Sequence, residues 1–139
     1  MTAREQHDKA VEAFNNHDAD KVVEFYAPDA ILYDPKYNES QNGRDAIRKD
    51  YENMFRSFPD IIVTRQEFLV NDSTAAWEIK LTGTNTGPIE TPDGTIPPTN
   101  RPFELYASVF AELDSEGRYY RVRRYMDVPS LMKQLGLVD

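Results

Sequence analysis

The chain has 139 residues, 40% of them hydrophobic and 12% aromatic, which predicts one globular domain spanning residues 1–139. A net charge of −8 makes nucleic acid an unfavourable partner, because an acidic surface repels phosphate backbones. The lack of cysteine excludes disulfides and thiolate metal sites. His7 and His17 are too far apart to share a helical face, so no metal site is expected and both side chains are expected to be exposed.

The first half of the chain predicts three helices and one short strand. Apolar residues at helical spacing predict an amphipathic helix over residues 3–16, and Asp18 or Asp20 can cap a second helix that continues to Tyr26. A short apolar strand over residues 30–33 follows. The third helix opens at Gly43, and its apolar stripe comprises Ile47, Tyr51, Met54, Phe55 and Phe58.

In the second half the apolar period changes from about 3.6 toward 2, which is typical of strands. Four long strands are predicted over residues 61–70, 74–84, 103–113 and 118–126. A proline-rich loop over residues 85–100 separates the middle two, and a hairpin turn over residues 114–117 joins the last two. A final helical segment covers residues 129–137.

This order predicts an α+β fold in which three helices pack on one face of a highly curved, cone-shaped antiparallel sheet, with a short C-terminal helix. If the apolar stripes of the helices leave the wide end of the cone unfilled, a pocket results. The N-terminus lacks the apolar segment of a signal peptide and no apolar run is long enough to cross a membrane, so a cytoplasmic protein with no membrane partner is expected.

Asp127 is the first candidate for chemistry, because it stands where the last strand ends and the final helix begins. A carboxyl group buried at such a point can face a cavity and carry protons near neutral pH. The alternative is that Asp127 only caps the helix, since Asp is a favourable capping residue and Pro129 suits a first helical turn.

Several segments resemble the SnoaL-like polyketide cyclase (ester cyclase) branch of the nuclear transport factor 2-like fold, which also contains ketosteroid isomerases. The matching segments, in order, are Ala13-Phe14-Asn15, Tyr26-Ala27-Pro28-Asp29, Gly43-Arg44-Asp45-Ala46-Ile47, Leu81-Thr82-Gly83-Thr84-Asn85-Thr86-Gly87, Ile96-Pro97-Pro98-Thr99-Asn100-Arg101, Arg124-Tyr125-Met126-Asp127 and Gln134-Leu135-Gly136. The resemblance extends over nearly the whole chain.

The resemblance implies an acid/base role for Asp127, because the cyclases use an acidic residue at the end of the last strand to close a ring by an intramolecular aldol reaction. It implies a second catalytic residue at Asp34, because Tyr33-Asp34-Pro35 is similar to the catalytic Asp-Pro of ketosteroid isomerases. One carboxyl group can remove a proton from carbon and return one to an alkoxide without a metal or cofactor. From the residues alone, Asp34 can equally begin a turn before Pro35.

Three departures from the relatives weaken a named reaction. If Ala107 and Val109 on the strand over residues 103–113 face the pocket, the polar ligand contacts of the cyclases are missing. The helix position expected to carry the isomerase tyrosine is Ala10, and Asn85 stands where many relatives have histidine.

Periodicity predicts which side chains line the pocket, with plain core packing as the alternative for each. The predicted substrate-binding residues are Phe14, Tyr51, Phe55, Trp77, Leu105, Val109 and Arg124. Trp77 suits a planar ligand. Arg124 can neutralise an enolate or pair across the sheet with Glu104 or Glu78, and the pairing is preferred.

Two hypotheses follow. The first is a cofactor-free cyclase or isomerase that acts on a small hydrophobic carbonyl compound. The second is a non-catalytic protein that binds an apolar ligand in the same pocket. In either case a homodimer is expected through the outer face of the sheet, predicted to carry Tyr106, Ser108, Phe110, Tyr119, Arg121 and Arg123.

Overall fold

Three helices occupy the first half of the chain and a fourth ends it, in a computed structural model that describes residues 1–139. Their bounds are α1 Ala3–Asn15, α2 Ala19–Val23, α3 Gly43–Ser57 and α4 Val128–Gln134. Thr2 caps α1 by accepting a hydrogen bond from the backbone N–H of Glu5, and Asp18 caps α2 in the same way through Lys21. No helix has both the length and the apolar character needed to span a membrane.

The strands form one six-stranded sheet and a separate two-stranded hairpin. Their bounds are β1 Tyr26–Tyr33, β2 Gln41–Asn42, β3 Ile62–Asn71, β4 Thr74–Thr84, β5 Ile89–Thr91, β6 Gly94–Ile96, β7 Pro102–Leu113 and β8 Tyr119–Met126. The order in the large sheet is β2-β1-β8-β7-β4-β3. The four long strands are antiparallel as predicted, whereas β1 runs parallel to β8, so the sheet as a whole is mixed.

The boundary between α2 and β1 and the structure of the proline-rich loop differ from the prediction. The second helix ends at Val23, and Tyr26 already belongs to β1, because this strand pairs with Tyr119 at the start of β8. The proline-rich loop contains the small hairpin of β5 and β6. The α+β class and its curved sheet are confirmed.

The core lies between the helices and the inner face of the sheet. Strand β7 shows this directly, because its side chains alternate between buried and exposed from one end to the other. Its inward residues Phe103, Leu105, Ala107, Val109, Ala111 and Leu113 are all buried. Phe14 and Ile47, from the apolar stripes of α1 and α3, bury their side chains in the same cluster.

Strand β8 departs from simple alternation at its start. A register shift between Glu112 and Leu113 brings Tyr119 opposite Leu113, so that Tyr119 is 6% exposed and faces the core. The prediction that Tyr119 lies on the outer face is therefore wrong, while Arg121 is exposed as predicted.

Asn85 fixes the long loop. Its fully buried side chain donates to the carbonyls of Ser57 and Gly87 and accepts from the N–H of Thr99. An uncharged amide can do both at once, which explains a buried polar residue here on structural grounds.

Candidate functional site

An apolar cavity lies inside the cone between α1, α3 and the inner face of the sheet. The volume open to the centres of water molecules is about 90 Å³, and 15 of the 17 lining residues are hydrophobic. Five predicted substrate-binding residues line it: Phe14, Tyr51, Trp77, Val109 and Arg124. Two do not: Leu105 is buried in the core, and Phe55 packs its ring against that of Phe14 with centroids 5.1 Å apart.

Three tyrosines supply the hydroxyl groups of the cavity wall. The hydroxyl oxygens of Tyr26 and Tyr51 lie 2.6 Å apart and form a buried hydrogen bond. The hydroxyl of Tyr119 is also buried but has no hydrogen-bond partner among the protein's own groups. Burial raises the pKa of all three side chains, and the neighbouring Tyr51 adds to the effect on Tyr26 and Tyr119, so all three are protonated near neutral pH.

Arg124 lines the cavity next to these tyrosines and is paired with two buried aspartates. Its Nη2 lies 2.6 Å from Oδ2 of Asp34 and 2.8 Å from Oδ2 of Asp50. Nη2 donates a hydrogen bond to Asp50, whereas the contact with Asp34 is an ion pair whose geometry does not form a hydrogen bond. Burial opposes the charge of Arg124, but the two carboxylates outweigh this and raise its pKa well above the ordinary value.

The segment between β1 and β2 closes over Asp50. Lys36 Nζ lies 3.0 Å from Asp50 Oδ1, and the Tyr37 hydroxyl donates to the same oxygen. Burial disfavours the Asp50 carboxylate, yet Arg124, Lys36 and the Tyr37 hydrogen bond together hold its pKa well below the usual range. The buried cluster thus pairs two carboxylates with two cations, and its formal charge is zero.

The position of Arg124 corrects one prediction. Its side chain points inward to the aspartates and does not pair across the sheet with Glu104 or Glu78. Glu104 lies 3.6 Å from Lys80 instead, on the outer face. Position 124 faces the core because β8 resumes its alternation after Val122.

A second, outer pocket lies on the other side of Arg124, with about 320 Å³ open to the centres of water molecules. Asp34 lines this pocket and not the inner cavity, whereas Arg124 lines both. The rings of Tyr33, Tyr37 and Tyr125 form much of the remaining wall. Arg124 is therefore the wall between an apolar inner cavity and a polar outer pocket.

Asp127 lies outside both pockets. Its side chain is exposed and caps α4 by accepting a hydrogen bond from the N–H of Ser130. The buried carboxyl group expected at this position is not present, because the capping bond turns the side chain toward the start of the helix. The acid/base role of Asp127 stays a prediction, and its geometry is that of a helix cap.

His7 is a wall residue that the sequence interpretation placed on the surface. It is 3% exposed, lines the cavity, and packs between Phe68 and Trp77 with ring centroids 4.8 and 4.4 Å away. Burial, reinforced by the charge of Arg65, lowers its pKa from 6.5 to about 4, so the imidazole is neutral near pH 7. The signal was available, since His7 falls on the same helical stripe as Val11 and Phe14.

Asp50 and Tyr119 were also missed. Asp50 precedes Tyr51 and stands three residues after Ile47, which places it at the edge of a buried stripe. An acidic residue at that position predicts a buried cation as its partner. The sequence does not identify the cation, because Arg124 is 74 residues away. Tyr119 carried no usable signal, since its direction depends on a bulge.

A helix-covered, curved sheet that encloses an apolar cavity places the protein in the nuclear transport factor 2-like class of α+β folds. The sequence profile of the SnoaL-like polyketide cyclases matches residues 5–135, and the chain belongs to that family. A comparison with curated proteins gives no significant match.

Solved structures with the same fold span the whole chain. IdmH of Streptomyces antibioticus, described as a proposed polyketide cyclase, has a TM-score of 0.79 and 24% identity, covering 98% of this chain and 99% of its own. TsrD of Streptomyces laurentii has a TM-score of 0.82 and 19% identity over 97% and 95% of the two chains. AclR of Streptomyces galilaeus, described as a proposed hydroxylase, has a TM-score of 0.81 and 18% identity over 98% and 82%. IdmH and AclR share this fold but are described as different kinds of enzyme, so the fold alone does not identify a reaction.

Proposed function

We propose that this protein is a cofactor-independent cyclase or isomerase that acts on a small hydrophobic carbonyl compound of the polyketide type. The observation that carries the proposal is the position of Arg124, a buried cation at the boundary between the apolar cavity and the outer pocket that contains Asp34. A ligand whose apolar body fills the cavity would bring its reacting carbons to this boundary. Membership of the cyclase family supports the same class of reaction.

The chemistry needs one proton acceptor and one group that stabilises negative charge. Removal of a proton from the carbon beside a carbonyl leaves an enolate, which either attacks a second carbonyl of the same molecule or is reprotonated elsewhere. Asp34 is the proposed proton acceptor, and it returns the proton to the alkoxide or to carbon. Arg124 stabilises the enolate oxygen, because a fixed charge in a water-poor site acts strongly on charge that develops in the reaction.

Asp34 is preferred over Asp127 on geometric grounds. The Asp34 side chain is fully buried and touches Arg124, whereas Asp127 is exposed at a helix cap. Substrate binding would have to loosen the contact between Asp34 and Arg124 for the carboxylate to accept a proton.

We expect the Asp34→Asn variant to lower the rate of proton exchange at carbon by about tenfold or more, since an amide cannot accept the proton. Exchange of the α-hydrogens of small ketones in deuterium oxide, followed by proton NMR, measures the step without knowledge of the natural substrate. The matched variant is Asp127→Asn, which retains a good helix cap and should keep the rate within about threefold of wild type. The opposite pattern, with only Asp127→Asn inactive, would reassign the acid/base role to Asp127.

The alternative function is a non-catalytic protein that binds an apolar ligand in the inner cavity. One observation favours it: no carboxylate lines that cavity, and Asp34 is already paired with Arg124. Wild-type protein that binds ketones but exchanges none of their α-hydrogens above the buffer rate would support this alternative.

We also propose that the chain forms a homodimer through the outer face of the sheet. Tyr106, Phe110 and Tyr125 are 53%, 43% and 51% exposed there, and the Phe110 and Tyr125 rings pack edge to face. Exposed aromatic residues grouped on one face are typical of an interface core.

Light scattering is therefore expected to give about twice the monomer mass of 16.0 kDa at micromolar concentration. Phe110→Lys should shift the mass to that of the monomer, because it places a charge in the centre of the contact. Val70→Lys is the control, since Val70 is 47% exposed but pairs with Ala75, whose side chain is buried on the opposite face of the sheet. A wild-type mass near that of one chain would contradict the proposal.

A further inference from the structure

Tyr119 has an unusual position among the cavity tyrosines. The hydroxyls of Tyr26 and Tyr51 satisfy each other, while the hydroxyl of Tyr119 lies in the same wall with no partner from the protein. Buried polar atoms in folded proteins almost always have a hydrogen-bond partner, and an orphaned one destabilises the fold. A phenylalanine would fill this position without that penalty, so the hydroxyl is a candidate for contact with a ligand.

The side chain is well placed for such a contact. The ring of Tyr119 packs against Trp77 with centroids 5.4 Å apart and against Tyr26 at the same distance. Both of these neighbours also line the cavity. Packing on two sides leaves the ring little freedom, so the hydroxyl is held in one place, which favours selective binding.

The charges around the cavity limit the kind of ligand. Arg124 is already paired with Asp34 and Asp50. His7 Nδ1 lies 3.4 Å from Arg65 Nη1, which can only donate, so Nδ1 accepts and the neutral ring carries its proton on Nε2. In the protein without ligand the one charged side chain of the wall is already paired, so a ligand with a permanent charge would be buried without compensation, which is costly. The cavity therefore favours a neutral molecule.

We propose that Tyr119 is a specificity-determining residue whose hydroxyl donates a hydrogen bond to an oxygen of a neutral ligand, such as a cyclic ketone, with its apolar body against Trp77. The inference rests on the proposed function only in assuming that the ligand occupies the same inner cavity. With about 90 Å³ open to the centres of water molecules, the cavity is smaller than the roughly 150 Å³ apolar cavity that takes up benzene, so a single six-membered ring is the largest body expected to enter it.

The test compares two probes of nearly equal shape, cyclohexanone and methylenecyclohexane, which differ in whether the exocyclic atom accepts a hydrogen bond. Trp77 is the only tryptophan and lies in the wall, so its fluorescence reports binding of both. Wild type should bind the ketone about tenfold more tightly than the hydrocarbon. Tyr119→Phe should remove that difference by weakening ketone binding about tenfold while leaving hydrocarbon binding unchanged. Cyclohexanecarboxylate, which carries a negative charge, should bind neither wild type nor Tyr119→Phe.

Tyr120→Phe is the matched control, because it removes the hydroxyl of the adjacent, exposed tyrosine and should change nothing. The melting temperature is a second readout, because removing a hydroxyl that has only a structural role would lower it. Since the Tyr119 hydroxyl has no protein partner, Tyr119→Phe should melt at the same temperature as wild type or above it.

The proposal is overturned if wild type binds both probes equally or binds neither. It is also overturned if Tyr119→Phe binds the ketone as wild type does, or melts lower and loses both probes together. These outcomes are separate from the proposed reaction: ketone selectivity without exchange of α-hydrogens would retain the Tyr119 contact and reject the enzyme. Exchange of α-hydrogens without ketone selectivity would support the enzyme and reject the Tyr119 contact.

Discussion

Arg124→Met is expected to lower the free energy of unfolding by about 3–5 kcal/mol, because it leaves two buried carboxylates without their shared cation. Both aspartate side chains are fully buried in contact with the guanidinium, so each carboxylate loses a neighbouring cation when Arg124 is replaced. Asp50 keeps Lys36 and Tyr37, whereas Asp34 has no other cation within ion-pair distance. The loss should therefore arise mainly at Asp34. Urea unfolding at pH 7 measures it.

The double variant Arg124→Met/Asp34→Asn separates this cause from simple loss of packing. Neutralising Asp34 should restore part of the stability, since the unpaired charge is gone. Arg123→Met is the control, because it makes the same change at a half-buried neighbour on β8 that forms no ion pair, and it should cost about 0.5 kcal/mol or less. A loss below about 1 kcal/mol for Arg124→Met, or no recovery in the double variant, would argue against a buried ion cluster.

His7 is expected to make the folded state sensitive to acid. Burial and the charge of Arg65 lower its pKa to about 4, against 6.5 in the unfolded chain. Between these two values the unfolded chain binds a proton that the folded chain does not, so the free energy of unfolding falls as pH falls from 6.5 to 4. The full fall due to His7 is about 3 kcal/mol, and it levels off below pH 4.

His7→Phe should remove this contribution, because phenylalanine fits between Phe68 and Trp77 and does not titrate. In urea unfolding at pH 7, 5.5 and 4, the free energy of unfolding of the variant relative to that of wild type should rise by about 3 kcal/mol from pH 7 to pH 4. His17→Asn serves as the control, because asparagine tolerates the positive φ of 56° at that position, and the acid sensitivity should remain. Parallel curves for wild type and His7→Phe would show that the imidazole is not buried in its neutral form.

The ion cluster and the tyrosines have different consequences for function. Arg124 and Lys36 with Asp34 and Asp50 form a group of zero formal charge, in which Arg124 stands at the boundary of the two pockets and can act on charge that develops in a reaction. Tyr119 has a free hydroxyl and suits selection of a ligand. A reaction at the boundary and recognition in the cavity can therefore be changed by separate substitutions.

Local patterns in the sequence were enough for much of the fold. The apolar stripe that includes Ile47 and Tyr51 predicted α3, and strict alternation predicted β7 with Leu105 and Val109 facing inward. The segments that resemble the family, beginning with the one at Phe14, occur in the family's order and predicted the cone-shaped fold. These features depend on neighbours within one or two helical turns or one strand, so they can be read without the tertiary structure.

The site depended on contacts that the sequence does not record. Arg124 and Asp50 are separated by 74 residues, so their pairing exists only once β8 and α3 are packed together. Tyr119 faces inward because of a register shift in the hairpin, and a shift of one residue exchanges the two faces of a strand. Asp127 was placed at the correct strand end, but its capping bond to Ser130 decides that the carboxylate faces solvent. The sequence by itself determined the class of fold and where its elements lie, because local periodicity encodes burial. Only the tertiary structure decided which polar groups meet inside it, because those contacts join distant segments through register and packing.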